Sequence, residues 1–273
     1  MPAIESASVA NLRDLGGIPL PGGGRVRAGR VFRAASLYKL DPAESVIAEL
    51  GIRTVVDLRT TEERTSRPDL LPPGARLVIA DALADQEAGS GRQALRDKPS
   101  AAHLVELLAD PAGASRTLGG GEAKRVMQEV YRSFVTDASA HRAFQTVLEL
   151  AADPDAGPVL IHCTAGKDRT GWSATLILAL LGADPETVEA EYLAVRDAVR
   201  ATFSKLITRF ETGGGDPAVA EALIGVDREY LAAALGEARA KYGSLEGYVH
   251  DALGLSGETV TRLREHLVEP GRD

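Results

Sequence analysis

Residues 162–171 read His-Cys-Thr-Ala-Gly-Lys-Asp-Arg-Thr-Gly, and their types and spacing fit one kind of chemistry. Cys163 opens the run, Arg169 follows six positions later, and small or polar residues lie between them. A guanidinium is a planar fork that can hold two oxygens of a phosphate. The backbone N–H groups of Thr164, Ala165, Gly166 and Lys167 can line an anion cradle. A thiol set among those groups and a helix N-terminus is expected to ionise in the depressed range of about 3.5–7.5 found for activated cysteines. As a thiolate, Cys163 is a strong nucleophile. The Thr170 hydroxyl can donate to its sulfur and make it a better leaving group. The implied reaction is attack on a phosphate ester, formation of a cysteinyl-phosphate, then hydrolysis by water. The loop amides would stabilise charge on the equatorial oxygens.

Such a loop needs a strand to enter it and a helix to leave it. Val159, Leu160 and Ile161 follow a Pro/Gly/Asp-rich break and read as a buried strand. The run 172–181 reads as a helix that stops at Gly182. Upstream, strands are expected at Val31-Phe32, 53–58 and 77–80. Asp41-Pro42-Ala43-Glu44 reads as the start of a helix running to Leu50. Helical periodicity covers 122–135 and 140–152, and later 185–195, 197–210, 218–240, 245–252 and 258–267. The fold class is therefore α/β: a central, mostly parallel sheet of four or five strands flanked by helices, with a helical C-terminal third. We expect one domain over 1–273, with a mobile, partly helical lid-like insertion at 84–121, of which 110–121 reads as a flexible break.

The run at 162–171 resembles the signature of the cysteine-dependent protein tyrosine phosphatase superfamily: His, Cys, five residues, Arg, then Ser or Thr. The Lys167-Asp168 pair is similar to the atypical bacterial branch known from mycobacteria. Asn11-Leu12-Arg13-Asp14, Asp57-Leu58-Arg59 with Glu63, Asp227 with Tyr230-Leu231, and Tyr242-Gly243-Ser244 resemble that branch too. The resemblance spans nearly the whole chain and is thinnest over 82–121. It implies hydrolysis of phosphotyrosine, with phosphoserine, phosphothreonine and phosphoinositides as further substrates, and no cofactor. It implies that Asp168 is the general acid. The usual phosphatases instead carry an Asp on a separate mobile loop, a place that Asp81 or Asp85 could fill. Either acid must be protonated at transfer, which a dianionic substrate would promote. It implies that His162 bonds backbone groups and helps to activate Cys163, and that Asn11 or Asp14 braces the loop. Lys167 is expected to reach towards a second anionic group, and Arg59 to pair with Glu63.

Composition narrows the partners. The chain has 31 Lys and Arg against 39 Asp and Glu, a net charge of −8. That balance argues against nucleic acid and anionic membrane as partners. No apolar run approaches the ~18–20 residues of a membrane span. The first residues carry no signal-peptide pattern, so the chain is expected in the cytoplasm or exported by a non-classical route. Cys163 is the one cysteine, so no internal disulfide can form and no second thiol can resolve a sulfenic acid. The five histidines have no ligand spacing, so no metal is expected. The partners expected are a phosphoprotein or phosphoinositide substrate and inorganic phosphate as product. Two other readings use a similar loop. A catalytically silent phosphate-binding module would lack Cys163 or Arg169. An arsenate reductase or sulfurtransferase is the other, and arsenate reduction usually draws on further thiols.

Overall fold

Short aliphatic runs build the sheet, and the strand that carries His162 lies at its centre. The computed structural model describes residues 3–88 and 108–271. The middle of the expected lid, 89–107, lies outside the described residues. The strands are β1 (Arg13–Asp14), β2 (Arg25–Val26), β3 (Val31–Ala34), β4 (Thr54–Asp57), β5 (Arg76–Ile79), β6 (Val159–His162) and β7 (Val268–Glu269). The main sheet has the order β1-β3-β6-β4-β5, while β2 and β7 form a separate antiparallel pair. β1 runs antiparallel to β3, and the other neighbours are parallel. In register, His162 stands between Ala34 on β3 and Asp57 on β4. The loop after β6 therefore opens between the carboxyl ends of two parallel neighbours, which is where open α/β sheets bind ligands.

Side chains alternate across this sheet as a period of two requires. Leu160, Phe32 and Val55 enter a small core with Leu12, Leu37 and Ile47. Ile47 belongs to α1 (Ser45–Glu49). Val159, Ile161, Val31 and Val56 face the opposite way, into a larger core with Phe144, Trp172 and Tyr248. Both faces are apolar because both are covered, as parallel sheets demand. After α2 (Thr61–Ser66), α3 (Ala84–Ala88) and α4 (Pro111–Leu118), the larger core is supplied by α5 (Glu122–Thr136), α6 (Ala138–Ala152) and α7 (Asp168–Leu180). α8 (Pro185–Leu193), α9 (Arg196–Thr202), α10 (Ser204–Thr212), α11 (Pro217–Ile224), α12 (Arg228–Tyr242) and α13 (Gly257–Leu267) make up the helical C-terminal third.

Several boundaries depart from the periodicity. α1 starts at Ser45, because the Glu44 carboxylate turns back to accept the Ala7 and Ser8 N–H groups at 2.8 and 3.2 Å. The expected helix over 218–240 is two helices: Gly225 ends the first and Asp227 caps the second. The stretch 110–121 contains the packed helix α4. Asp110 caps it, Pro111 opens it, and Ala114 and Leu118 are buried. α7 begins at Asp168, four residues before the expected Trp172, so Asp168 and Arg169 lie on its first turn.

Phe144 is fully buried and meets the Phe134 ring edge-on at 6.0 Å. We expect Phe144→Ala to lower the unfolding free energy by about 3–5 kcal/mol, read from urea titration.

Candidate active site

The turn out of β6 is shaped by a backbone that only glycine tolerates. Gly166 has φ +66°, and a Cβ there would stand 2.3 Å from the Ala34 carbonyl oxygen. Its own carbonyl is held from outside by two donors, Arg33 Nη2 at 2.8 Å and Asn11 Nδ2 at 3.0 Å. Asn11 also reaches the Ala165 carbonyl at 3.3 Å, and the Ser36 N–H donates to Thr164 O at 3.2 Å. Pinning these carbonyls outwards turns the intervening N–H groups inwards, since a trans peptide points the two in opposite directions. Among the described residues, no backbone carbonyl accepts from the N–H groups of 164–169. Together with the N-terminus of α7 they form an anion nest.

Arg169 rises from the first turn of α7 beside that nest and is 3% exposed. Nη1 and Nη2 form a fork on Glu63 at 2.7 and 2.8 Å, and Nη1 also donates to Leu58 O at 3.1 Å. Thr164 Oγ1 donates to the same carboxylate. Glu63 itself is fixed by a capping box: it accepts the Thr60 N–H at 2.9 Å while Thr60 Oγ1 accepts its own N–H. Burial alone would raise the Glu63 carboxyl, but Arg169 outweighs it and holds the group at about 2, against 4.5 ordinarily. Burial likewise opposes the Arg169 charge, and Glu63 more than restores it. The Arg169 Nε and the Thr170 hydroxyl are buried and have no partner among the described residues. Buried donors left open beside an amide nest suit an anion that brings its own oxygens.

Cys163 immediately precedes the nest on the chain and is buried, 1% exposed. His162 beneath it is fully buried, with Nδ1 3.2 Å from Cys163 O. Asp168 is brought into the site, and its Oδ1 accepts the Tyr131 hydroxyl at 2.9 Å. Tyr131 is paired in turn with Tyr192 at 2.7 Å. Burial, with the Asp168 carboxylate beside it, pushes Tyr131 well above the ordinary phenol range, so it stays a donor.

Other expected site residues lie elsewhere. Asp14 does not brace the loop: its two oxygens accept the Gly16 and Gly29 N–H groups at 2.7 Å each, closing a turn. Asp85 accepts the Ser139 N–H at 2.7 Å and lies near Arg142. That backbone bond chiefly holds its carboxyl below the usual range, at the N-terminal end of α6. Asp81 accepts the Leu83 N–H at 2.9 Å and lies 3.6 Å from Arg64, at the end of β5, with β4 between it and β6. Lys167 does not reach into the nest. Its ammonium is buried on the carbonyls of Leu223, Ile224 and Gly225 at 2.8, 2.9 and 2.9 Å, the last turn of α11. Arg59 pairs with Asp57 and Asp69 and leaves Glu63 to Arg169. Asp57, Asp69 and His162 could be taken for a metal triad, but the Arg59 guanidinium fills the space between the carboxylates.

Sequence reasoning gave Glu63 to Arg59 rather than Arg169, and it missed Tyr131, Asp69 and the Arg33–Glu191 pair at 2.8 Å that aims Arg33 at Gly166. Only Glu63 had a local signal, the Thr-x-x-Glu spacing of a capping box. The others are long-range partners.

A phosphatase of the tyrosine-phosphatase type is the class that this sheet and loop define. The chain belongs to the tyrosine phosphatase family, whose model matches residues 4–269. It is 37% identical over 264 residues to the triple specificity protein phosphatase PtpB of Mycobacterium tuberculosis, covering 89% of this chain and 92% of that one. It is also 30% identical over 262 residues to a chain named as a tyrosine-protein phosphatase from Cupriavidus necator, covering 96% and 86%. A tyrosine-protein phosphatase of Nostoc commune is 26% identical over 252 residues, covering 90% and 76%.

The Glu63–Arg169 pair makes stability depend on pH. Above 4.5 the carboxylate is ionised in folded and unfolded chains, and the pair contributes in full. As pH falls from there, the unfolded chain takes up the proton first, and the contribution is gone once pH passes about 2. The loss is about 3 kcal/mol. Urea titrations from pH 6 to 3 should show a steeper loss of stability in the wild type than in Glu63→Gln, where the other lowered carboxyls, Asp69 among them, keep a shallower slope. We expect Gly166→Ala to distort the nest and to lower kcat/KM about 100-fold.

Proposed function

We propose that the chain hydrolyses phosphotyrosine proteins through a cysteinyl-phosphate intermediate, with phosphoserine, phosphothreonine and phosphoinositides as further substrates. One observation carries the reading. A guanidinium braced on two nitrogens keeps its third open beside a thiol and a nest of unpaired amides. The breadth of substrate is supported by the relative named as a triple specificity phosphatase.

In the first step the Cys163 thiolate attacks phosphorus in line with the leaving oxygen. The equatorial oxygens are held by the loop N–H groups and Arg169. Asp168 gives its proton to the leaving oxygen, and Tyr131 fixes the orientation of the carboxyl. In the second step water attacks the phosphocysteine and gives up its proton to Asp168. The products are inorganic phosphate and the Cys163 thiolate, with the Thr170 hydroxyl donating to the departing sulfur. Lys167 serves this chemistry through its backbone N–H, while its ammonium ties the loop to the end of α11.

The test is phosphate release from matched phosphotyrosine, phosphoserine and phosphoinositide substrates, without added metal. Wild type should act on all three, and Cys163→Ser on none. Lys167→Ala should lose activity on every substrate by a similar factor, about tenfold or more. A selective loss on the phosphoinositide would mean that the ammonium leaves its carbonyls to bind a second phosphate. A wild type that releases no phosphate from any substrate would end the phosphatase reading.

A further inference from the structure

Three buried oxygens form a row that ends at Asp168: the Tyr192 hydroxyl from α8, the Tyr131 hydroxyl from α5, and Asp168 Oδ1 on the first turn of α7. Tyr131 Oη lies 2.7 Å from Tyr192 Oη and 2.9 Å from Asp168 Oδ1. Both tyrosines are fully buried. The Phe134 and Tyr230 rings stand 5.1 and 5.7 Å from the Tyr131 ring, and the Tyr192 ring meets it edge-on at 6.1 Å. Tyr192 also lies against α7, where a Cβ on Gly171 would stand 3.1 Å from its ring. Packing on this scale holds both phenols where they are.

A hydroxyl has one hydrogen to give, so the row can run in either of two directions. If Tyr192 donates to Tyr131 and Tyr131 donates to Asp168, every hydrogen has an acceptor. If Asp168 instead donated from Oδ1, Tyr131 would have to donate to Tyr192, and the Tyr192 hydrogen would be left over. Among the described residues the Tyr192 hydroxyl has no second partner. A buried donor without an acceptor is strongly disfavoured. Lys167 acts in the same sense, because its ammonium lies 3.7 Å from Oδ1 and opposes a hydrogen there. Burial, with the Asp168 carboxylate nearby, pushes both phenols well above their ordinary range, so both keep their hydrogens. Oδ1 is therefore an acceptor. No hydrogen bond engages Oδ2 among the described residues.

We propose that Tyr192 is a positioning residue: through Tyr131 it commits Oδ1 of Asp168 to accepting, so that Oδ2 alone exchanges a proton with the substrate. The proposal rests on the reading of Asp168 as the general acid. In the first step the thiolate pair of Cys163 forms the S–P bond. The P–O pair goes to the leaving oxygen, which takes the hydrogen of Oδ2, and Oδ2 keeps the O–H pair as a carboxylate. In the second step Oδ2 takes a proton from the attacking water. An alkoxide leaves poorly without that proton, while an acidic phenol needs little help. The chain from Tyr192 therefore weighs most on phosphoserine and least on activated aryl esters. Its neighbour Glu191 grips Arg33 at 2.8 Å, and Arg33 holds the Gly166 carbonyl at 2.8 Å. Two adjacent residues of α8 thus set the acid and the nest together.

The experiment measures kcat/KM on aryl phosphates from 2,4-dinitrophenyl to phenyl phosphate. Tyr131→Phe should lose about tenfold on phenyl phosphate, and the loss should shrink steadily as the leaving group becomes more acidic. Tyr192→Phe should show the same trend with a smaller loss, about threefold. The double variant should lose no more than Tyr131→Phe alone, because a chain cut at Tyr131 no longer passes through Tyr192. A loss that is equal for every leaving group, or losses that add, overturn the proposal. Asp168→Asn in the same series separates the two readings. If its loss does not vary with the leaving group, Asp168 is not the acid. If its loss does vary and those of the tyrosine variants do not, the donor chain alone is overturned. Neutron diffraction from deuterium-exchanged wild-type crystals needs no variant to fold. It should place the Tyr192 deuteron towards Tyr131 and the Tyr131 deuteron towards Oδ1, and the reverse order overturns the proposal.

Discussion

Each cation that touches or aims the catalytic loop is buried, and burial allows it only if a fixed partner faces it. Arg169 has Glu63, Arg33 has Glu191, Arg59 has Asp57 and Asp69, and Lys167 has three carbonyls at the end of a helix. A guanidinium or ammonium taken out of water without such partners would cost several kcal/mol. The partners come from β4, α2, α8 and α11, so the loop cannot reach its working shape until those elements have docked. The fold is in this sense the counter-ion set of one loop.

Backbone direction follows from the same arrangement. Asn11 and Arg33 do not contact the nest from inside; they hold its carbonyls from behind. Asn11 reaches that position with φ 55°, the left-handed region that Asn tolerates better than most residues. A side chain that holds a carbonyl outwards and a peptide plane that turns the next N–H inwards are one device. Much of the loop is therefore organised by residues that an inventory of catalytic side chains omits.

The frame was legible in the sequence because it rests on local signals. Apolar runs of two or three residues became the centres of β3, β4, β5 and β6, and the spacing from Cys163 to Arg169 marked the loop that follows β6. Chain direction around Gly225 and Asp227 was harder, since good helix formers on both sides hid the break. That break supplies the carbonyls that take Lys167. A lysine in an anion-binding motif reads as a phosphate ligand until the chain from 56 positions away is seen to occupy it. Asp14, Asp85 and Glu63 are the same case. A carboxylate near a motif can be an acid, a cap or a counter-ion, and only its three-dimensional partners distinguish these roles.

Charge accounting around the nest explains how a chain with a net charge of −8 can still hold an anion. Glu63 balances Arg169, Glu191 balances Arg33, and Asp57 and Asp69 face Arg59. Lys167 lies 3.7 Å from Asp168. The side chains therefore leave little net field at a distance. What remains is short-ranged: unpaired N–H groups, the N-terminus of α7, and the open Nε of Arg169. Such a site does not steer anions from far away through an acidic exterior. Its donors act only at contact, on an anion whose oxygens can meet them. Any discrimination between one anionic ligand and another then belongs to the surfaces around the nest, because its N–H donors can read only oxygens that accept.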